Sequence, residues 1–296
     1  MLTPEILEAR KKGLGGSDIA VILGLSPWKS ATELYYEKRG ELEPPDLSDN
    51  ELIHFGNVLE GVVADEYSRR NDVKVERRNK MMASKEHPFM LANIDRKVVG
   101  EKKGLECKTA DRFTMHKWGE QGSDDIPDYY RTQVEHYMIV TGYPVWDLAV
   151  LIGGNTYRDY HVEQDQELSE MIVEQCAKFW ERVQTGLVPD FDWTHPGTMD
   201  LIKKLHPGTN GETIELPTEL VHWHETKVQA EAMVKTYQGV VDGCKARILA
   251  AMGDNACGQF SQVAYQYKRS EVKATEFTVK KDAYMVMRGS AIRSKK

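Results

Sequence analysis

The sequence predicts an α/β core followed by a helical and β-ribbon extension. Three observations carry this. Helical and extended periodicities alternate along the first 186 residues, as helices around a few central strands require. Two extended runs, 146–152 and 155–162, meet across Gly153-Gly154, a hairpin signal. After a Pro- and Gly-rich stretch over 189–217, one long run begins with apolar residues at three-four spacing. The core is therefore placed at 1–200 and the extension at 201–296.

Taken in order, residues 4–12 read as a short helix opened by Pro4. Gly13, Gly15 and Gly16 permit a tight turn, and Ser17 or Asp18 can cap a helix over 19–23 that stops at Gly24. A helix start behind such a turn, with Arg10 just ahead of it, suits an anion; the same residues suit a plain capped helix. The turn lacks the GK[ST] ending of a P-loop, and no strand precedes it as a dinucleotide fingerprint demands. Residues 31–39 form a helix stopped by Gly40. A loop with Pro44-Pro45 leads to a helix from Ser48, Asp49 or Asn50 to about Arg70, whose apolar face is Leu52, Phe55, Leu59, Val62 or Val63, and Tyr67.

Residues 73–78 alternate as a strand, 85–88 turn, and 90–94 and 105–109 are the two strands of a hairpin. Residues 113–118 are irregular or briefly helical, and GEQGSDDIPD is a polar loop. Amphipathic helices follow over 129–141, stopped by Gly142, and over 165–186, with Leu168, Ile172, Cys176, Phe179 and Val183 inside. In the extension, Leu220, Trp223, Val234, Tyr237, Val241 and Ile248 mark a helix of about 30 residues that packs in coiled-coil fashion, on the chain itself or on a partner. Residues 259–268 and 272–278 read as a two-strand ribbon with a basic tail.

Composition narrows the function classes. No run of about 18 apolar residues occurs, so no transmembrane helix is expected, and the N-terminal stretch lacks a signal-peptide apolar region. Four scattered cysteines without a CxxC pair argue against a zinc site or a disulfide framework and for a reducing cytoplasm. A net charge of −7 argues bluntly against a nucleic-acid partner, but basic residues are local: from Lys268 to Lys296, nine Lys or Arg face three acids.

The chemistry centres on MLANIDRKVVGEKKGLECKT, residues 90–109. In a strand Glu106 and Lys108 point one way and Cys107 the other. Pairing of the two segments as a hairpin brings Asp95 near Glu106. Two carboxylates suit a hard divalent cation, and a neighbouring lysine suits a water that must lose a proton. Alternating acids and lysines also suit a solvated sheet face. On pattern alone Glu60 and Gln133 are ordinary solvated helix positions.

Five pieces in order, GLGGSDIAVILG, HFGNVLEGVVADEY, LANIDR, GLECKT and YYRTQVEHYMIVTG, resemble the YqaJ-type viral recombinases. These are the phage lambda exonuclease-like group of the PD-(D/E)xK nuclease superfamily. The resemblance covers roughly residues 10–186. It implies a restriction-endonuclease-like core, a central mixed β-sheet flanked by helices. It implies that Asp95 and Glu106 bind metal, that the Cys107 carbonyl adds a backbone ligand, and that Lys108 positions or deprotonates the attacking water. Glu60 then helps with a second ion through water, and Gln133 supports the lysine and the nucleophile. The ions implied are two Mg2+, or Mn2+, per site.

By the same resemblance Arg10 and Ser17 hold the 5′-phosphate of the strand being cut. Asn93 stands where lambda-type enzymes carry a serine on that phosphate, and Ile94 replaces the proline of the superfamily's name. The implied activity is 5′→3′ degradation of one strand of linear duplex DNA, leaving 3′ tails for a single-strand annealing protein. The implied assembly is a trimer around DNA, in the bacterial or phage-infected cytoplasm. Two rival readings are a structure- or sequence-specific endonuclease on the same core and a non-catalytic DNA-binding or assembly protein.

Overall fold

A computed structural model describes residues 11–78 and 80–271. The chain divides into two compact units, the break falling between His206 and Pro207.

The first unit is built on a five-stranded mixed sheet in the order β1-β4-β5-β6-β7. Its strands are β1 (Val75–Arg77), β4 (Arg96–Val98), β5 (Lys103–Ala110), β6 (Val145–Ile152) and β7 (Thr156–Glu163). Strands β5 and β6 run parallel through eight paired residues, Lys103↔Val145 to Ala110↔Ile152, and the other neighbours are antiparallel. A parallel pair needs a crossover, which here carries a 3-10 turn (Arg112–Lys117) and the helix α4 (Asp128–Thr141). A separate small sheet pairs β2 (Met82–Ala83) with β3 (Leu91–Ala92).

Alternate residues of β6 serve opposite faces. Trp146, Leu148, Val150 and Ile152 pack with helices α1 (Gly16–Ile22), α2 (Ala31–Lys38), α4 and α5 (Gln166–Thr185). Ala149 and Leu151 join Leu105 and Cys107 of β5 under Val63, Ala64 and Tyr67 of α3 (Glu51–Asn71). A strand covered on both faces reads as an apolar run, which is why 146–152 carries only Asp147 as a charge.

Caps and stops follow the chemistry of single residues. Asn50 Oδ1 accepts from the N–H groups of Leu52 and Ile53 at 3.0 and 3.2 Å and so starts α3. Asp165 starts α5, and Gly142 and Gly186 end α4 and α5 with φ of 69° and 79°. The Gly153-Gly154 hairpin needs positive φ at both residues and has it.

Five expectations require correction. The hairpin partner of β5 is 96–98 rather than 90–94, because Leu91–Ala92 pairs with β2 instead. Helix α1 starts at Gly16 with Gly15 as its N-cap, so Ser17 lies inside the first turn and Asp18 acts from the third position. Leu52 and Phe55 of α3 stay exposed, because the face of α3 buried under the sheet is carried by Val63, Ala64 and Tyr67; of the pair Val62 and Val63, it is Val63 that is buried. The Pro- and Gly-rich stretch holds a further helix, α6 (Thr198–Leu205), with Leu201 buried and Lys204 paired to Glu33 at 3.0 Å. It belongs to the first unit.

The fifth correction lies in the second unit. The long helix α7 (Leu220–Met252) forms, but Trp223, Val234 and Tyr237 are exposed among the described residues. The ribbon pairs β8 (Cys257–Gln259) with β9 (Gln266–Lys268), so 259–268 is a turn and one strand rather than a single strand. Residues 272–278 and most of the helix read over 4–12 lie outside the described residues.

Two buried residues generate tests. His136 is fully buried, its Nε2–H donating to the Leu91 carbonyl at 2.8 Å. Burial pushes its imidazole down from 6.5 to about 4. The unfolded chain therefore takes up this proton first, so the stability is complete above pH 6.5 and falls as pH drops towards about 4. The loss is about 3 kcal/mol. Denaturant melts of wild type and His136→Gln across this range should diverge by one proton's slope; parallel curves would exclude His136 as the source. Gly104 lies under Trp146, and a Cβ there would fall 2.3 Å from the indole. Gly104→Ala should cost about 1–3 kcal/mol in the same melts.

Candidate active site

The ladder between β4 and β5 has two rungs, Lys97↔Gly104 and Arg96↔Leu105. Asp95 stands one residue beyond the last rung, level with Glu106. There its side chain replaces the ladder: Asp95 Oδ2 accepts from the Cys107 N–H at 3.0 Å. A buried N–H needs an acceptor, and the loss of strand pairing hands that role to a carboxylate. Cys107 turns its side chain to the α3 face, while Glu106 and Lys108 face α4, as strand alternation requires.

Glu106 is 2% exposed. Its Oε1 accepts from Lys108 Nζ at 2.6 Å and from Gln133 Nε2 at 2.8 Å. Its Oε2 is buried and has no hydrogen-bond partner among the described residues. Gln133 also donates to the Tyr137 hydroxyl at 2.8 Å, one helical turn on. Lys108 Nζ lies 4.9 Å from the Tyr130 ring centroid, a cation–π distance. Burial, and then the Glu106 charge, push the Asp95 carboxyl well above the usual carboxylate range. Burial alone would lower Lys108, but Glu106 and Asp95 outweigh it and hold the ammonium above its ordinary range.

Glu60 lies close enough for its charge to raise Asp95 further, but its own carboxylate is engaged. Glu60 Oε1 meets Arg96 Nη1 at 2.5 Å and Arg77 Nη2 at 3.5 Å. Arg96 also donates to the Asp95 carbonyl at 2.9 Å, so it joins α3 to the turn that presents Asp95. Among the described residues no group of three or more His, Cys, Asp or Glu is arranged to hold a metal ion. The pair Asp95 and Glu106 nevertheless fits one small hard cation: both are oxygen ligands, their charges are desolvated together, and Glu106 Oε2 is unengaged.

The Gly-rich turn meets this site from the side. A Cβ on Gly16 would fall 2.6 Å from the Tyr137 ring and 3.1 Å from Gln133, so only glycine lets α1 approach so closely. Ser17 follows it and is exposed. Asp18 already serves the helix start, accepting from the Gly15 N–H at 2.9 Å and pairing with Lys38 at 2.7 Å. Asn93 is half-buried, two residues ahead of Asp95. Arg10 lies outside the described residues.

The structure thus brings Asp95, Glu106, Lys108 and Gln133 together, and sets Glu60 beside them on an arginine. Sequence reasoning missed Arg96, Tyr130 and Tyr137. Tyr130 and Tyr137 lie three before and four after Gln133, the spacing of one helix face, a spacing that equally marks an ordinary core stripe.

Comparison with known proteins follows this geometry. Residues 5–144 match the YqaJ-like viral recombinase domain. The uncharacterized protein YqaJ of Bacillus subtilis (strain 168) is 39% identical over 219 residues, 73% of this chain and 67% of that protein. Among solved structures, the alkaline exonuclease LHK-Exo of Laribacter hongkongensis superposes with a TM-score of 0.51 at 16% identity, over 62% of this chain and 94% of that one. Its complex with dAMP gives the same score and identity over 69% and 98%. At that identity the likeness establishes the fold, a mixed sheet flanked by helices. By the extent and identity of the Bacillus subtilis match, this chain belongs to the YqaJ-like viral recombinase family.

Proposed function

We propose that this chain is a divalent-metal-dependent deoxyribonuclease that degrades one strand of linear duplex DNA from its 5′ end, leaving 3′ tails for a single-strand annealing protein. The observation that carries this reading is the acid pair of half-buried Asp95 and buried Glu106 with the Lys108 ammonium 2.6 Å from Glu106. Family membership and a fold shared with an alkaline exonuclease support it. Asp95, Glu106 and the Cys107 carbonyl would hold Mg2+ or Mn2+. Such an ion, when bound, supplies Lewis acidity towards phosphate oxygens and water.

The chain's own residues do the rest. Glu106 stays fixed because Gln133 and Lys108 both donate to it, and Gln133 is itself fixed by Tyr137. Lys108 sets a positive charge where negative charge grows on the phosphate. Water adds to phosphorus as the P–O3′ bond breaks; the leaving oxygen takes a proton, and a 5′-phosphorylated nucleotide is released. Glu60 holds Arg96 and through it the turn at Asp95; service to a second ion would require it to leave that arginine. Arg10, Ser17 and Asn93 grip the terminal 5′-phosphate in this reading, and three copies encircle the duplex.

The test is end-labelled linear duplex with magnesium, alongside a covalently closed circle. Wild type should degrade the linear DNA and leave the circle intact. Lys108→Ala and Asp95→Asn should bind DNA but cut at least about 100-fold more slowly. Failure to degrade linear duplex would sink the enzyme reading, and cutting of the circle would sink dependence on an end. Wild type should also prefer a 5′-phosphate over a 5′-hydroxyl, and Arg10→Ala should lose that preference before it loses activity. Equal wild-type rates on both ends would remove the phosphate grip.

A further inference from the structure

A groove of about 1140 Å³ opens beside the acid pair. Small-molecule sites run to roughly 300–1,000 Å³, so this groove suits a chain of linked units better than one compact ligand. It begins at Thr109 and Tyr130, the residue after Lys108 and the ring beneath its ammonium. From there aromatic rings step outwards. The Tyr130 and Tyr129 centroids are 4.4 Å apart, and Tyr129 meets Trp28 edge-on at 5.4 Å. Trp28 is 70% exposed, and Phe113, which lines the same groove, is 88% exposed. Large aromatics left this open on a folded unit mark a binding surface.

The groove's charges are of both signs, Lys29 and Arg112 against Glu51 and Asp111. Lys29 is moreover paired with Glu37 at 2.5 Å. The groove is therefore poorly made for a phosphate backbone and well made for flat, uncharged faces. Unpaired bases offer such faces, at a spacing fixed by the backbone that a nuclease site must hold. We propose that Trp28 and Phe113 stack unpaired bases of the DNA strand whose phosphate lies at Asp95 and Glu106. This rests on the nuclease reading for the identity of the strand, and on the groove alone for the stacking.

The test is anisotropy of a labelled oligothymidine and of an abasic strand of equal length, with full-length protein in EDTA so that nothing is cut. Wild type should bind the thymidine strand about tenfold more tightly than the abasic one. Trp28→Ala with Phe113→Ala should bring the two affinities together, and Trp28→Tyr with Phe113→Tyr should keep them apart. The slope of log affinity against log salt should be the same in all three proteins, because no phosphate contact changes. Thermal melts confirm that each variant is folded. Equal wild-type affinities, an absence of single-strand binding, or a preference that survives the alanine pair would each overturn the proposal. Base preference in a protein that cuts no linear duplex would sink only the nuclease reading; cutting without base preference would sink only the groove.

Discussion

Glu106 carries a carboxylate into the middle of the central sheet at 2% exposure. Burying such a charge costs several kcal/mol unless partners oppose it. Lys108, two residues along the same strand, and Gln133, on the helix that crosses back over the sheet, are those partners. Much of the local architecture follows from this need. Helix α4 must lie where Gln133 can reach β5, Tyr137 must lie where it can hold Gln133, and Gly16 must lack a side chain so that α1 fits against both.

Asp95 is the complementary case. It reaches Glu106 because pairing between β4 and β5 stops one residue short of it. Had the strands paired on, the Cys107 N–H would have bonded to backbone and Asp95 would have been free to turn outwards. Arg96 reinforces the arrangement from behind, bonding the Asp95 carbonyl and the Glu60 carboxylate together. The acid pair is thus set by a strand end, a helix glutamine and an arginine clamp, all on rigid elements, as a site that must hold its geometry requires.

The two units answer different needs. The first has a sheet covered on both faces and a complete core. The second presents a 33-residue helix with apolar side chains open. The overall charge of −7 says little about either, because several of the acids are consumed inside the first unit by named partners: Asp18 by Lys38, Glu60 by Arg96, Glu106 by Lys108.

Much of this was legible in the sequence because it depends on local physics. Alternation put Glu106 and Lys108 on one face, Gly153-Gly154 made the β6–β7 turn, and Gly142 and Gly186 stopped their helices, each through a conformation that nearby residues decide. Family resemblance, not periodicity, singled out Glu60 and Gln133, since a polar residue on a helix reads as solvated until its partner across the fold is known. Tertiary structure alone decided which strand pairs with β5, that Glu60 is held by Arg96, that Tyr130 lies under Lys108, and that Leu52 and Phe55 stay exposed. Those outcomes depend on contacts between residues far apart in the chain. Periodicity can say that a face is apolar, but not what, if anything, covers it.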